Sequence, residues 1–197
     1  MTYHTLKRVV DATGAAVLLL LTLPMLFVVA LIALLFQGSP VFFTQLRPGL
    51  REKPFRIIKF RTLAGSGTSS GSRTDLSVTN LGAILRRLSI DELPQLLNVL
   101  RGEMSFVGPR PLLMEYLPLY TDEQRKRHNV RPGLTGLAQV EGRNLIPWET
   151  KLELDALYSD RMSLRLDISI LVKSIGLVVR GKGVAAHDSE FNRRFKG

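Results

Sequence analysis

"GAAVLLLLTLPMLFVVALIALLF", residues 14–36, is an apolar run inside a longer stretch, from Ala12 to Leu46, that carries no charged side chain. A helix needs roughly 20 apolar residues to cross a bilayer, so this run is long enough to span or enter one. It exceeds the apolar core of a cleaved signal peptide, and no small-residue cleavage pattern follows it. Pro24, near its middle, removes one helical hydrogen bond and crowds the carbonyl four residues back, which predicts a kink or break there. Lys7 and Arg8 precede the run, and Arg47, Arg51 and Lys53 follow it. Positive charge marks the cytoplasmic side of a spanning helix, so basic flanks on both sides point to a re-entrant hairpin with both ends on one face. A kinked spanning anchor is the alternative, because proline is tolerated in membrane helices.

The rest of the chain is where the charge sits. Of 197 residues 45% are apolar, yet 27 Lys and Arg face 17 Asp and Glu, for a net charge of +10. Such a balance suits nucleic acid, anionic lipid headgroups or phosphate-bearing substrates, and the membrane segment favours the last two. The absence of cysteine excludes disulfides, thiolate metal sites and a cysteine nucleophile. His4, His128 and His187 form no cluster along the chain and receive no ligand or base role.

Beyond residue 46 the pattern is mixed. Residues 48–63 read as a turn and a strand-like run interleaved with Arg56, Lys59 and Arg61. Residues 64–75 are a Gly/Ser-rich connection, and 81–88 one or two helical turns. Leu93, Leu96, Leu97 and Leu100 repeat at helical spacing, which predicts a helix over about 92–101. "GPRP" (108–111) and "RPGLTG" (131–136) are turns carrying one arginine each, and 113–128 and 149–160 read as helices. Residues 163–182 are apolar over a wide arc with a narrow line of Arg165, Lys173 and Arg180, as in a helix lying in the membrane interface; a buried core helix is the competing account. The whole reads as one membrane-associated α/β domain, mainly helical, with an N-terminal proline-broken hairpin over 1–46, the remaining domain over 47–197, and interfacial amphipathic helices.

Asp91 and Glu92 stand together in "RLSIDELPQLLNVL" (87–100). Pro94 is comfortable only in a first helical turn, which places Asp91 at the cap; Ser89 with Glu92 also fits a capping box starting earlier. Acids at a helix start are common through the orphan amides and the macrodipole, and that explanation is sufficient for this stretch alone. Their company suggests more. Adjacent carboxylates can hold Mg²⁺, Arg86, Arg87, Arg110 and Arg131 suit diphosphate oxygens, and a carboxylate can attack phosphorus when a metal neutralises the repulsion between the two anions.

"FTQLRPGL", "KFRT", "LRRLSIDELPQLLNVLRGEMSFVGPRPLL", "RHNVRPGLTGLAQVEGRN" and "LDISI" together resemble the bacterial sugar transferase family of polyprenyl-phosphate phosphoglycosyl transferases, over nearly the whole chain. The small PglC-like members are the most similar, since no multi-span region stands ahead of Lys7. The resemblance implies transfer of a sugar 1-phosphate from a UDP-sugar to a polyprenyl (undecaprenyl) phosphate with Mg²⁺, releasing UMP. It makes Asp91 the nucleophile of a ping-pong scheme and Glu92 a partner in holding the metal. It assigns the proline-broken segment to a re-entrant hairpin and the domain to the cytoplasmic face of the bacterial inner membrane. Arg110 is then a phosphate contact, Lys59, Arg61 and Arg86 candidates for the same anionic pocket, and Arg131 and Arg143 candidates for the nucleotide side. Lys7 and Arg8 are expected at lipid headgroups. Relatives often carry Ser before the hairpin proline, where this chain has Leu23 preceded by Thr22, and Asn where it has Glu141. Expected partners are the UDP-sugar, polyprenyl phosphate and membrane lipids, with a second copy or downstream glycosyltransferases as further candidates, and no nucleic acid.

Three rivals remain at this point. A basic binding module would cluster its cations on one exposed face among stacking aromatics, and only Trp148 and a few Phe and Tyr lie near them. Asp91 as general base in a direct transfer keeps the site and changes the chemistry. An assembly scaffold would tolerate Asp91→Asn.

Overall fold

The computed structural model describes residues 3–64, 77–142, 146–179 and 195. The long apolar run forms α1, Tyr3–Gln37, and the helix continues through Pro24 where a break was expected. The Thr22 hydroxyl, two residues before the proline, donates to the Leu18 carbonyl at 2.6 Å. Such back-bonding is a known source of helix bending. The less exposed residues Asp11, Ala15, Leu19, Thr22, Leu26, Val29, Ala33 and Gln37 follow one another at helical spacing, and Pro24 lies exposed on the opposite side. The most apolar part of α1 is only 6% buried, so it is not the core helix of a soluble protein.

Both ends of α1 are fastened to the rest of the chain. Near its start, Arg8 donates to the carbonyls of Val99 and Leu100 at 2.6 and 2.7 Å, and Lys7 is ion-paired with Asp167. These two cations are therefore spent inside the protein rather than on headgroups. Asp11 accepts from the Phe106 amide at 3.2 Å, and Gly14 lies so close to the Phe106 ring that a Cβ there would meet it at 2.9 Å. At the far end, the Arg61 guanidinium donates to the carbonyls of Gln37 and Gly38, the latter at 2.8 Å.

Strand β1, Phe42–Pro48, pairs antiparallel with β2, Pro54–Phe60, in a hairpin that matches Phe42 with Phe60 and Pro48 with Pro54. This strand crosses the expected boundary at residue 46: the helix ends at Gln37 and sheet begins at Phe42. Two short ladders complete the sheet content. One joins β3, Leu63–Ala64, to β4, Ser77–Val78; the other joins β5, Ser105–Val107, to β6, Gly133–Thr135, in parallel. Because β6 falls inside "RPGLTG", that segment is part strand and not only a turn.

Helix α2, Asn80–Arg87, is capped by Thr79, whose hydroxyl accepts from the Gly82 amide at 2.8 Å. Ser89 then takes a left-handed conformation, φ 56° and ψ 20°, and turns the chain into a 3-10 segment, Ile90–Gln95, that leads into α3, Leu96–Arg101. Asp91 is thus inside a tight turn and not the cap of a longer helix over 92–101. The expected helix over 113–128 is divided into a 3-10 segment containing Pro118, Met114–Leu119, then α4, Asp122–Arg125, and a further 3-10 turn, Lys126–Asn129. α5, Leu137–Glu141, α6, Trp148–Arg161, and α7, Leu164–Val179, complete the described elements.

Ala15 of α1, Phe55 and Ile57 of β2, Leu96 and Val99 of α3, and Met104 form one buried cluster; Val107, Val130, Tyr158 and Ile170 form another. Their burial is the main favourable term, at about 25 cal/mol per Å² of apolar surface removed from water. Outside them α7 presents Leu164, Ile168, Val172 and Ile175 unburied. The result is a mostly helical chain with small sheets, whose apolar helix is anchored to the same domain at both ends.

Candidate functional site

A cleft of about 740 Å³ opens beside the tight turn at Asp91. Its wall includes Lys59 from β2, Arg86 from α2, Asp91 and Glu92 from the turn, and Arg110 from the loop after β5. Each arrives for a local reason. Asn98, fully buried, receives the Ile58 amide at 3.2 Å and donates to the Arg56 carbonyl at 2.8 Å, which locks β2 against the 3-10 segment and α3. Arg86, which lines the cleft, is held by its Nε donating to the Thr62 hydroxyl at 2.8 Å and has no carboxylate partner among the described residues.

Glu92 and Asp91, adjacent in sequence, are electrostatically unlike. Lys59 Nζ and Arg110 Nη2 donate to Glu92 at 2.6 and 2.7 Å, both to the same oxygen, Oε1, which leaves Oε2 without a protein partner among the described residues. Burial alone would raise the Glu92 pKa, but the charges and hydrogen bonds of Arg110 and Lys59 outweigh it and hold the carboxyl at about 2. Arg110 is in turn stabilised as a cation by Glu92, while burial and the neighbouring Arg110 press Lys59 below the ordinary range for lysine. Asp91 is 8% exposed and accepts no hydrogen bond from the described residues. Burial, followed by repulsion from Glu92, raises its pKa against the opposing pull of Lys59, Arg86 and Arg110. A carboxylate with little solvation and no hydrogen-bond donor is the more available nucleophile of the two.

Of the other residues singled out from sequence, Arg61 lines the cleft but spends its guanidinium on the end of α1. Arg131 does not reach the cleft: its Nε donates to the Gly102 carbonyl at 2.8 Å, so it braces the turn after α3. Arg143 and Arg180 lie outside the described residues. The cleft is also lined by Thr135, Gln139, Lys151, Asp155 and Ser174, which sequence reasoning passed over, and by Trp148. Lys151 Nζ sits 4.9 Å from the centre of the Trp148 ring, a cation–π contact, and the Thr135 and Ser174 hydroxyls are 2.6 Å apart.

Residues 2–181 match the family model described as bacterial sugar transferase. The chain belongs to the bacterial sugar transferase family. Among relatives of this sugar transferase, an uncharacterized sugar transferase, EpsL, of Bacillus subtilis (strain 168) is 50% identical over 195 residues, covering 98% of this chain and 96% of the relative. The UDP-glucose:undecaprenyl-phosphate glucose-1-phosphate transferase of Caulobacter vibrioides is 41% identical, covering 86% of this chain and 68% of the relative. The UDP-N-acetylgalactosamine-undecaprenyl-phosphate N-acetylgalactosaminephosphotransferase of Aeromonas hydrophila is 36% identical, covering 92% of this chain and 45% of the relative.

The donor set of this sugar transferase suits one kind of metal binding. No group of three or more His, Cys, Asp or Glu side chains gathers among the described residues, so a closed protein cage is not built. Asp91 and the free Oε2 of Glu92 instead fit an ion such as Mg²⁺, which is held by one or two carboxylates and completed by substrate phosphates and water.

His128 is 5% exposed, and its Nε2 has no hydrogen-bond partner among the described residues. Burial, then the positive charge of Arg127, lowers its pKa from 6.5 to about 4. A histidine kept neutral in the fold adds stability that is fully present above about pH 6.5 and is lost as the pH falls through about 4. Thermal melts from pH 7 to pH 4 should therefore fall more steeply for the wild type than for His128→Asn; equal slopes would remove this residue from the acid response.

Proposed function

We propose that the chain transfers a sugar 1-phosphate from a UDP-sugar to undecaprenyl phosphate, in two displacements at Asp91, on the cytoplasmic face of the bacterial inner membrane. The observation that carries this reading is the pairing of an unneutralised, buried Asp91 with a Glu92 whose charge is already matched by Lys59 and Arg110. The Caulobacter and Aeromonas relatives, named for transfers from different UDP-sugars to undecaprenyl phosphate, support the general reaction.

In the first displacement an Asp91 carboxylate oxygen attacks the phosphorus that bears the sugar. The bond from that phosphorus to the bridging oxygen of UMP breaks, and UMP leaves with the electron pair. In the second, an oxygen of the lipid phosphate attacks the same phosphorus and displaces the Asp91 carboxylate, giving the lipid diphosphate sugar. Neither step needs a proton from the protein. Arg110 and Arg86 orient the diphosphate by charge-assisted hydrogen bonds, and Lys59 holds Glu92 in place as it does before substrate arrives. Bound Mg²⁺ at Asp91 and Glu92 would supply charge neutralisation for two anions meeting at phosphorus.

The membrane reading accompanies this chemistry. Fastening α1 at Arg8 and again at Gln37 holds both of its ends against the rest of the chain, which supports an arrangement with both ends on one face of the membrane; the helix itself runs unbroken through Pro24. The exposed apolar face of α7 supports an interfacial helix beside it, which would hold the cleft near a lipid phosphate.

The test is UMP release from a panel of UDP-sugars with undecaprenyl phosphate and Mg²⁺. One UDP-sugar is expected to be turned over, with the rate abolished by EDTA and restored by Mg²⁺. Undiminished turnover in EDTA would remove the metal from the scheme, and no turnover of any UDP-sugar in a lipid-competent preparation would overturn the reaction itself.

A further inference from the structure

The loop that delivers Arg110 to the cleft has unusual backbone chemistry. In Gly108–Pro109–Arg110–Pro111 the two prolines have no N–H, so only two amides remain to brace the segment, and that of Gly108 donates to the Thr135 carbonyl at 2.9 Å. Its three successive carbonyls are instead each gripped from elsewhere in the chain. The Gly133 amide donates to Pro109 at 3.0 Å, Arg127 Nη2 to Arg110 at 2.7 Å, and Arg47 Nη1 to Pro111 at 3.3 Å. The shortest of the three grips is on Arg110 itself.

Arg127 is built for that grip. Its side chain is 1% exposed, and it makes a two-point contact with one carboxylate oxygen of Asp155, from Nε at 3.2 Å and Nη2 at 2.7 Å. Nη1 reaches the Tyr120 hydroxyl at 3.4 Å, and the Tyr120 ring lies beside the guanidinium, 5.6 Å from its carbon. A planar, delocalised fork held on two sides has little freedom left, so its remaining hydrogen bond to the Arg110 carbonyl is directional. Ion pairing to Asp155 would neutralise the buried charge without any contact to Arg110, so neutralisation does not account for the Arg110 bond.

We infer that Arg127 is a positioning residue: through the Arg110 carbonyl it sets where the Arg110 guanidinium meets Glu92 and the substrate phosphates. This rests on the reaction proposed above, and it adds a residue that touches neither substrate nor metal. A lysine at 127 keeps a charge for Asp155, but its three donors share one freely rotating nitrogen on a flexible stem, so it does not reproduce the fixed fork that holds the Asp155 oxygen and the Arg110 carbonyl. Displacement of a catalytic group by about 1 Å can cost ~10²-fold in rate.

A double-mutant cycle on kcat/KM separates positioning from bulk stability, with Arg127→Lys, Arg110→Ala and the combined variant measured in the same detergent or nanodisc. Arg127→Lys is expected to lose ~10²-fold in the wild-type background and within about twofold of nothing once Arg110 is Ala. If instead the two losses multiply, Arg127 does not act through Arg110 and the inference is overturned. Should Arg127→Lys fail to fold, the charge-neutral pair Arg127→Met with Asp155→Asn takes its place in the cycle. If no UDP-sugar is turned over, the reaction fails separately, and the same cycle is read on the Kd for UDP with Mg²⁺. Coupled losses there uphold the inference, and additive losses or no loss at all overturn it.

Discussion

Asp91→Asn should abolish UMP release, with a loss of at least about 10³-fold, while the protein melts no lower than the wild type. The two halves of this result come from one observation. Asp91 is buried, beside a second carboxylate, with no hydrogen-bond donor from the described residues, so its charge contributes no native contact that an amide would break. Asparagine keeps the shape and removes the nucleophilic oxygen anion. Omitting undecaprenyl phosphate sharpens the result. An aspartyl intermediate requires the wild type to release a stoichiometric burst of UMP without acceptor and to retain the labelled phosphosugar, and Asp91→Asn to do neither. A general base at Asp91 gives no burst in either protein, because no bond breaks until the acceptor attacks. A scaffold leaves glycan assembly intact in the variant. The covalent scheme, the general base and the scaffold thus divide on one pair of proteins.

How far the sequence could see depended on whether the controlling interaction was local. Asp91, Glu92, Lys59, Arg86 and Arg110 were all nominated from motifs and residue chemistry, and the cleft brings the five together. The division of labour between the two acids was not legible, because it depends on both cations choosing Glu92 Oε1, and they come from β2 and from the loop after β5. Arg131 shows the opposite failure: an arginine in a Pro/Gly turn looks like a phosphate ligand, but a carbonyl left open by the turn at Gly102 claims it. Lys7 and Arg8 failed the same way, since cations beside an apolar run suggest headgroups until Asp167 and the α3 carbonyls are seen to hold them.

Among the elements, α2, α6 and α7 were readable from periodicity because each is decided by its own spacing. β1 was missed because it continues an uncharged run, and the β5–β6 ladder because three-residue parallel strands joined far apart in sequence leave no alternation to read. A kink or break is expected at Pro24 from sequence, but a proline removes only one hydrogen bond. The ladder on either side of it is intact, and the helix continues through it.

Asp155→Ala should be the most destabilising single change on the cleft wall, costing about 3–5 kcal/mol, because it leaves the Arg127 guanidinium buried without its counter-charge. For a chain of this size that corresponds to a fall in Tm on the order of 10 °C. The cost is not the strength of the ion pair. Burial raises the Asp155 pKa despite Arg127, evidence that desolvation opposes the pair as well as supporting its partner's claim on it. Removing both charges should therefore restore much of what removing one loses, and Arg127→Met with Asp155→Asn is expected to melt closer to the wild type than Asp155→Ala does. If both proteins melt equally low, the pair is intrinsically stabilising; if Asp155→Ala melts with the wild type, water reaches Arg127 and its burial is not maintained in solution. A neutral pair that folds but turns over slowly would separate the two duties of Arg127, since stability needs only matched charge, whereas Arg110 needs the guanidinium fork.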